Sequence, residues 1–332
     1  MTPETLLVMG PDTLSTQFGP EEMARLQAVA SLREPIWVDE LSSRRARSRL
    51  SEVEVLITSW GCPPLDEEVL RAAPKLRAVL HAAGTVRGHV GDAVFDRGIR
   101  VTTAADANAE PVARFTLAAV LWAFKKAPFL AADARTYRTD WSYREHRGEL
   151  SGVNRTVVIV GFSRVGRRVA RLLRDLCDVL VVDPVVDPAE VAAAGGRLVA
   201  MADALPRADV LSLHAPLLPE TRHLIGAAEL AALPPNATLV NTARGGLVDT
   251  AALERACLDG LHAILDVTDP EPLPGDSPLY DLPNVVLTPH VAGSLGAETR
   301  LMAASALAEL ENYAAGRPPL APVTRASLRV QA

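Results

Sequence analysis

The sequence predicts an α/β protein of two units, each built on a doubly wound parallel sheet. Three observations carry this. Short apolar runs alternate with longer amphipathic stretches almost throughout. The runs are rich in Val, Ile and Leu, as strands covered on both faces are. The alternation falls into two series separated by a long helical pattern, which fits two units better than one continuous sheet. A length of 332 residues also suits two domains.

In the first series Val53–Thr58 reads as a strand, Leu65–Ala73 as a helix, and Leu76–Leu80 and Ile99–Thr102 as strands. Ala105–Lys126 then reads as a long helix opened by Pro111, a residue suited to a first turn. Asp133–Leu150 is polar, with Trp141, Tyr143, Arg144 and His146. The second series has strands at Val157–Val160, Val179–Val182, Val210–Leu213, Ala237–Val240, Ala263–Asp266 and Val285–Thr288. Val165–Leu176 is helix-like, with Val169, Leu172, Leu173 and Leu176 on one face, and Ala251–Cys257 is also helical. The tail, Ala297–Tyr313, is amphipathic and stops at Gly316-Arg-Pro-Pro319.

Composition excludes several classes. With 48% hydrophobic and 22% charged residues, the chain is neither disordered nor collagenous nor a disulfide-stapled mini-protein. A net charge of −6 gives no global field for a nucleic-acid backbone. Cys62, Cys177 and Cys257 form no CxxC pair and read as small buried thiols in a reducing compartment. The N-terminus lacks the basic region of a secretory signal, and the run Phe115–Phe124 is about half the length that spans a bilayer. A soluble cytoplasmic protein with no membrane partner is expected. No His/Cys/Asp cluster has ligand spacing, so no metal is expected.

One motif suggests a ligand. Val157–Val160 runs into Gly161-Phe-Ser163-Arg164-Val165-Gly166, an approximation to GxGxxG between a strand and a helix. Gly161 permits the tight turn, Gly166 permits close packing of helix on strand, and the helix N-terminus offers N–H groups to a pyrophosphate. Ser163 replaces the middle Gly; it is small and can itself hydrogen-bond phosphate. Asp183 ends the following strand, where an acid hydrogen-bonds ribose hydroxyls and repels a 2′-phosphate. Pro184 follows it, so no Arg stands beside it to favour NADP. The motif points to NAD, with NADP less favoured.

Position separates the seven histidines. His290, His214 and His81 each end a strand, and ligands of open α/β sheets lie outside the strands' carboxyl ends. His89, His146, His223 and His262 fall in loops or at helix ends and read as solvated. Glu271 lies in another post-strand loop, Asp266-Val-Thr-Asp-Pro-Glu-Pro272. A carboxylate on one imidazole nitrogen fixes the tautomer and favours the protonated ring, which then exchanges a proton with a carbonyl oxygen. Arg244, in Asn241-Thr-Ala-Arg-Gly-Gly-Leu-Val-Asp249, can grip a carboxylate with two parallel hydrogen bonds.

Over essentially its whole length the sequence resembles the D-isomer-specific 2-hydroxyacid dehydrogenase family. Four stretches carry the resemblance: Val160–Gly166; Leu213-His-Ala-Pro216 with Thr221; Asn241–Asp249; and Leu287-Thr-Pro-His290 preceded by Asp266–Pro272. It implies Arg244 as substrate-binding and catalytic, Glu271 as the partner of His290, and His290 as acid/base. It implies an NAD site lined by Arg164, Val165, Asp183, Thr242, Ala243 and Asp266, with Asp266 near the nicotinamide carboxamide. Gly161, Ser163, Gly166, His214, Pro216, Thr221 and Gly293 complete that site. The implied fold is two Rossmann-like domains, an NAD-binding one at 109–292 and a discontinuous substrate-binding one at 1–108 plus 293–332, completed by the returning C-terminal helix. The substrate carboxylate falls on the backbone of Ala83, Gly84, Thr85 and Val86, with Arg87 beside them, and Trp60 can wall the pocket. Homodimers through the nucleotide domain are implied.

Two departures stand out: Ser163, and Arg114 where the family commonly has Glu. Thr58-Ser-Trp60-Gly-Cys62 is uncharged, Arg87 is the one basic residue in the carboxylate loop, and the chain ends without a further regulatory domain. A small or apolar 2-keto or 2-hydroxy acid is therefore expected over phosphoglycerate. A relative acting on formate or phosphite and an NADH-sensing, corepressor-like scaffold are the alternatives.

Overall fold

The computed structural model describes residues 2–328. The chain divides into two units, Met1–Asn108 with Ser294–Ala332, and Ala109–Gly293.

The first unit holds a parallel sheet of β1 (Thr5–Val8), β2 (Trp37–Val38), β3 (Val55–Thr58), β4 (Ala78–His81) and β5 (Arg100–Thr103), in the order β2-β1-β3-β4-β5. Strand residues alternate between its two faces. Leu6, Leu56 and Val79 pack on one side, and Leu7, Ile57 and Leu80 on the other. The helix Thr299–Ala314 covers the second face with Ala303, Ala306, Leu307 and Leu310. Each fully buried Leu there contributes about 1.5–3 kcal/mol. Arg25 clamps this helix through Glu311, with Nε–Oε1 at 2.6 Å and Nη2–Oε2 at 3.0 Å.

The second unit holds β6 (Thr156–Val160), β7 (Asp178–Val182), β8 (Arg197–Leu198), β9 (Val210–Leu213), β10 (Thr238–Asn241), β11 (His262–Leu265) and β12 (Val285–Leu287). All are parallel, in the order β12-β11-β10-β9-β6-β7-β8. The chain leaves β6 in one direction to β7 and returns on its other side with β9. That reversal is the switch point at which open sheets bind ligands.

Several expectations need correction. The long helix runs Ala105–Phe124 and does not open at Pro111, which lies inside it. Ala104 bonds back to the carbonyls of His81 and Ala83, and Asn108 N bonds to Ala104 O, so the helix starts directly off β5. The helix Arg164–Leu173 is shorter than Val165–Leu176. Its buried face is Gly166, Val169, Ala170 and Leu173, while Leu172 and Leu176 are exposed. Small residues serve where helix and strand approach closely. Strands β3 and β4 start two residues later than the apolar runs suggest. Val53 and Leu76 are buried, but their N–H groups bond to preceding-turn carbonyls, of Arg49 and Ala73. Apolar pattern reports burial, not ladder pairing. His89 and His262 are not solvated: both are buried, and His262 begins β11 with its ring 4.6 Å from that of Phe129.

Candidate active site

The site-bearing residues of the second unit follow from strand register. Val182, Val160, Leu213, Asn241, Leu265 and Leu287 form one row across the sheet. The next residues are Asp183, Gly161, His214, Thr242, Asp266 and Thr288. Six loops thus leave the same carboxyl edge.

At the switch point Gly161 has φ +93°, and a Cβ there would lie 2.4 Å from Ala215 N. A Cβ on Gly166 would lie 2.1 Å from Gly161 O. Both positions need glycine. Ser163 does not: its φ is −67°, and its hydroxyl caps the helix by accepting from Gly166 N. The Ser163 departure therefore costs the turn nothing. Val165 is half-buried behind this turn and Arg164 is exposed in the first helical turn. One Asp183 oxygen accepts from Phe162 N at 2.7 Å and the other from Val185 N and Val186 N. Three backbone donors leave a carboxylate lone pair for a hydroxyl. The cradle and this acid fit an adenosine diphosphate ribose, and among the described residues no cluster suits a metal.

The side chain of His214 packs behind this turn. Its imidazole is buried, bonded to Ser212 Oγ at 2.8 Å, and its Cβ lies against Gly166. It packs against the turn at Gly166. Thr221 likewise spends its hydroxyl on the loop it closes, donating to Pro216 O and accepting from Leu218 N. Thr242 hydrogen-bonds Thr116 of the long helix at 2.8 Å.

Beyond β10, Asn241 sets the Arg244 loop. Its side chain accepts from Ala243 N and donates to Arg244 O, both at 3.0 Å. Arg244 is half-buried, and its Nη1 donates to Ala243 O. A Cβ on Gly245 would sit 2.0 Å from the Thr268 carbonyl, so this loop and the one leading to Glu271 touch only because residue 245 is glycine.

Beyond β12, His290 Nδ1 lies 2.6 Å from Glu271 Oε1. With the carboxylate on Nδ1, Nε2 is the nitrogen that remains for an outside partner. His290 adopts φ +54°, unusual for a non-glycine residue. Asp266 holds it there. Its 2%-exposed carboxylate accepts from Thr288 Oγ1, Val291 N and Ala292 N, and its carbonyl accepts from His290 N. Asp266 therefore fixes the His290 turn, with most of its acceptor capacity used. Gly293 closes the same turn, half-buried. Asn241 and Thr288 were missed by the sequence reading. Their signal was a polar residue ending β10 three positions before Arg244, and one directly before Pro-His. Arg114 is 73% exposed and pairs with Glu110 one turn away, so its charge reversal sits in solvent.

In the first unit Trp60 follows β3, 44% exposed, and Ala83–Arg87 follow β4. Among the described residues nothing accepts from the N–H groups of Ala83, Gly84, Thr85 or Val86. Arg87 is exposed, with Nε donating to Leu328 O at 2.9 Å.

A family model described as the D-isomer specific 2-hydroxyacid dehydrogenase, NAD binding domain, matches residues 117–292. The chain belongs to the D-isomer specific 2-hydroxyacid dehydrogenase family. Its second unit is an NAD-binding domain. Among curated relatives, this family member is 37% identical over 285 residues to a D-3-phosphoglycerate dehydrogenase of Mycobacterium tuberculosis, covering 85% of this chain and 52% of the relative. It is 36% identical over 283 residues to a glyoxylate reductase of Korarchaeum cryptofilum, covering 82% and 84%. The chain spans about half the length of the phosphoglycerate dehydrogenases it matches. A crystal structure of a Thermus thermophilus protein superposes with TM-score 0.75 at 32% identity, over 96% of this chain and all of that one. An NAD-complexed 2-hydroxyacid dehydrogenase of Lactobacillus delbrueckii shares the fold, with TM-score 0.79 at 22% identity over 96% of this chain and all of that one.

Proposed function

We propose that this protein is an NAD-dependent oxidoreductase that interconverts a small 2-keto acid and a D-2-hydroxy acid. The observation that carries the proposal is the 2.6 Å contact of His290 with Glu271, on the sheet edge that also bears the dinucleotide turn. When bound, NAD(H) supplies or accepts the hydride. The residues do the rest. His290 Nε2 gives a proton to the carbonyl oxygen in reduction and takes it back in oxidation, and Glu271 steadies the imidazolium. Arg244 grips the substrate carboxylate with its planar fork. In the first unit, taken by itself, the four amides at Ala83–Val86 have no acceptor among the described residues and are a candidate hold for a carboxylate.

The uncharged stretch Thr58–Cys62 and the tie of Arg87 to Leu328 favour a small or apolar acid over phosphoglycerate. A panel of glyoxylate, hydroxypyruvate, pyruvate and larger keto acids, followed by NADH absorbance in both directions, tests this. Arg244→Lys keeps the charge but loses the fork, and is expected to cost about 10²-fold in kcat/KM at unchanged NADH affinity. No turnover on any member, or full activity in that variant, defeats the reading.

A homodimer belongs to the same proposal. Leu121, Trp122, Tyr137 and Trp141 of the second unit are exposed apolar side chains that a second copy would cover. Sedimentation equilibrium should give twice the chain mass; a monomer at micromolar concentration rejects it.

A further inference from the structure

The first unit carries a buried polar cluster that the proposed chemistry does not use. Thr58 ends β3 and His81 ends β4, side by side in register. Thr58 Oγ1 lies 3.0 Å from His81 Nδ1 and 3.3 Å from His89 Nε2. The two imidazoles stand 4.6 Å apart, tilted by 46°. All three side chains are buried, at 0%, 2% and 7% exposure. A hydroxyl has one proton, so Thr58 donates to at most one of the two rings. Burial drives both rings toward the neutral form, His81 to about 3 and His89 to about 4, and His89 adds to the effect at His81.

The cluster lies at both ends of one loop. His81 immediately precedes Ala82–Arg87, and His89 follows them. The loop's first carbonyls are already held: Gln17 and Ser59 donate to Ala82 O, and Ala104 N to Ala83 O. The middle is not, because the amides of Ala83–Val86 have no acceptor among the described residues. What fixes the middle is closure of the loop by its two histidines through Thr58, together with His89 N and Val90 N on Val86 O.

We propose that Thr58, His81 and His89 are positioning residues, which hold the Ala83–Val86 amides in the arrangement that binds the substrate carboxylate. This rests on the proposed function for the identity of the anion. The chemistry is that of pre-organisation: four main-chain donors bind an anion well only if their geometry is set before it arrives. The cluster thus governs affinity for the keto acid and leaves NADH affinity and the proton transfer untouched.

Thr58→Val removes one hydroxyl with little change of shape. It is expected to raise KM for the keto acid about tenfold, with kcat and the KM for NADH within about twofold of wild type. His81→Leu should act likewise. His81→Asn, which keeps a polar atom near the Nδ1 position, should restore most of the affinity. Hydrogen exchange of the 82–90 segment, with oxalate as a non-reacting dianion, reads the same effect without turnover. Oxalate should slow exchange in wild type and need about tenfold more to do so in Thr58→Val. An unchanged KM and unchanged oxalate protection in Thr58→Val overturn the inference. So does a uniform loss of kcat, both KM values and melting temperature in all three variants, or oxalate protection that is absent from wild type. If wild type turns over no keto acid yet oxalate protection behaves as stated, the proposed reaction falls and the positioning role stands.

Discussion

Replacing His290 by Gln is expected to reduce turnover about 10²–10⁴-fold while NADH affinity stays within about twofold, the range in which a positioned acid/base group contributes. The turn that presents residue 290 survives the change, because it is held from outside the side chain. His290 N bonds to the carbonyls of Asp266 and Thr288, and the Asp266 carboxylate takes Val291 N and Ala292 N. Gln bears somewhat more than His does at φ +54°, a cost those bonds must carry. The imidazole is half exposed, so little packing is lost with it. Glu271→Gln should lose less, since the ring stays but its tautomer and charge lose their partner. Steady-state rates and a fluorescence titration of NADH check both. Turnover near wild type in His290→Gln removes the proton donor from the proposal, whatever the coenzyme does.

Much of this edge was legible in the sequence, because chemistry placed after strands leaves local marks. Gly161 and Gly166 are forced by contacts of 2.4 and 2.1 Å that no side chain could share, and a tight turn between strand and helix announces them. Post-strand position marked His290 and Glu271, the family resemblance implied their pairing, and they lie 2.6 Å apart. What stayed hidden depends on partners distant in sequence. His262 looks like a loop residue until Phe129 is seen against its ring. The packing of His214 against Gly166 likewise has no mark in the sequence. Pro111 reads as a helix start because propensity is local, whereas the bonds that launch the helix come from His81 and Ala83. The N-terminal strands β1 and β2 and their helices gave no motif, and only their packing under the returning helix Thr299–Ala314 defines them.

Acid should unfold this protein at milder pH than its carboxylates alone would dictate. Four imidazoles are buried and held neutral. His81, His214 and His262 are pushed down to about 3 and His89 to about 4, in each case first by burial. Lys126 and Arg147 add to the effect at His262, and Asp133 opposes it. In the unfolded chain each titrates near 6.5. Below that value the unfolded state binds more protons than the folded one, so stability is fully present above about pH 6.5 and is lost as pH falls toward the folded values. At pH 5 each imidazole has forfeited about 2 kcal/mol, independent of where its folded value lies beneath that pH. Two lie in the first unit and two in the second, so each unit loses about 4 kcal/mol, against a typical total of 5–15 kcal/mol. The depressed carboxylates, Glu40 at about 2 with Glu52, Asp140 and Glu311, act below the ordinary carboxylate range. Lys126, lowered to about 8 by burial, acts above that value. The window from pH 6.5 to 5 therefore isolates the histidines. Denaturant unfolding across it should show midpoints falling with a slope near two protons per unit, and His262→Gln should remove one from the second. Midpoints that stay flat from pH 7 to 5 would show that these rings charge in place or that water reaches them.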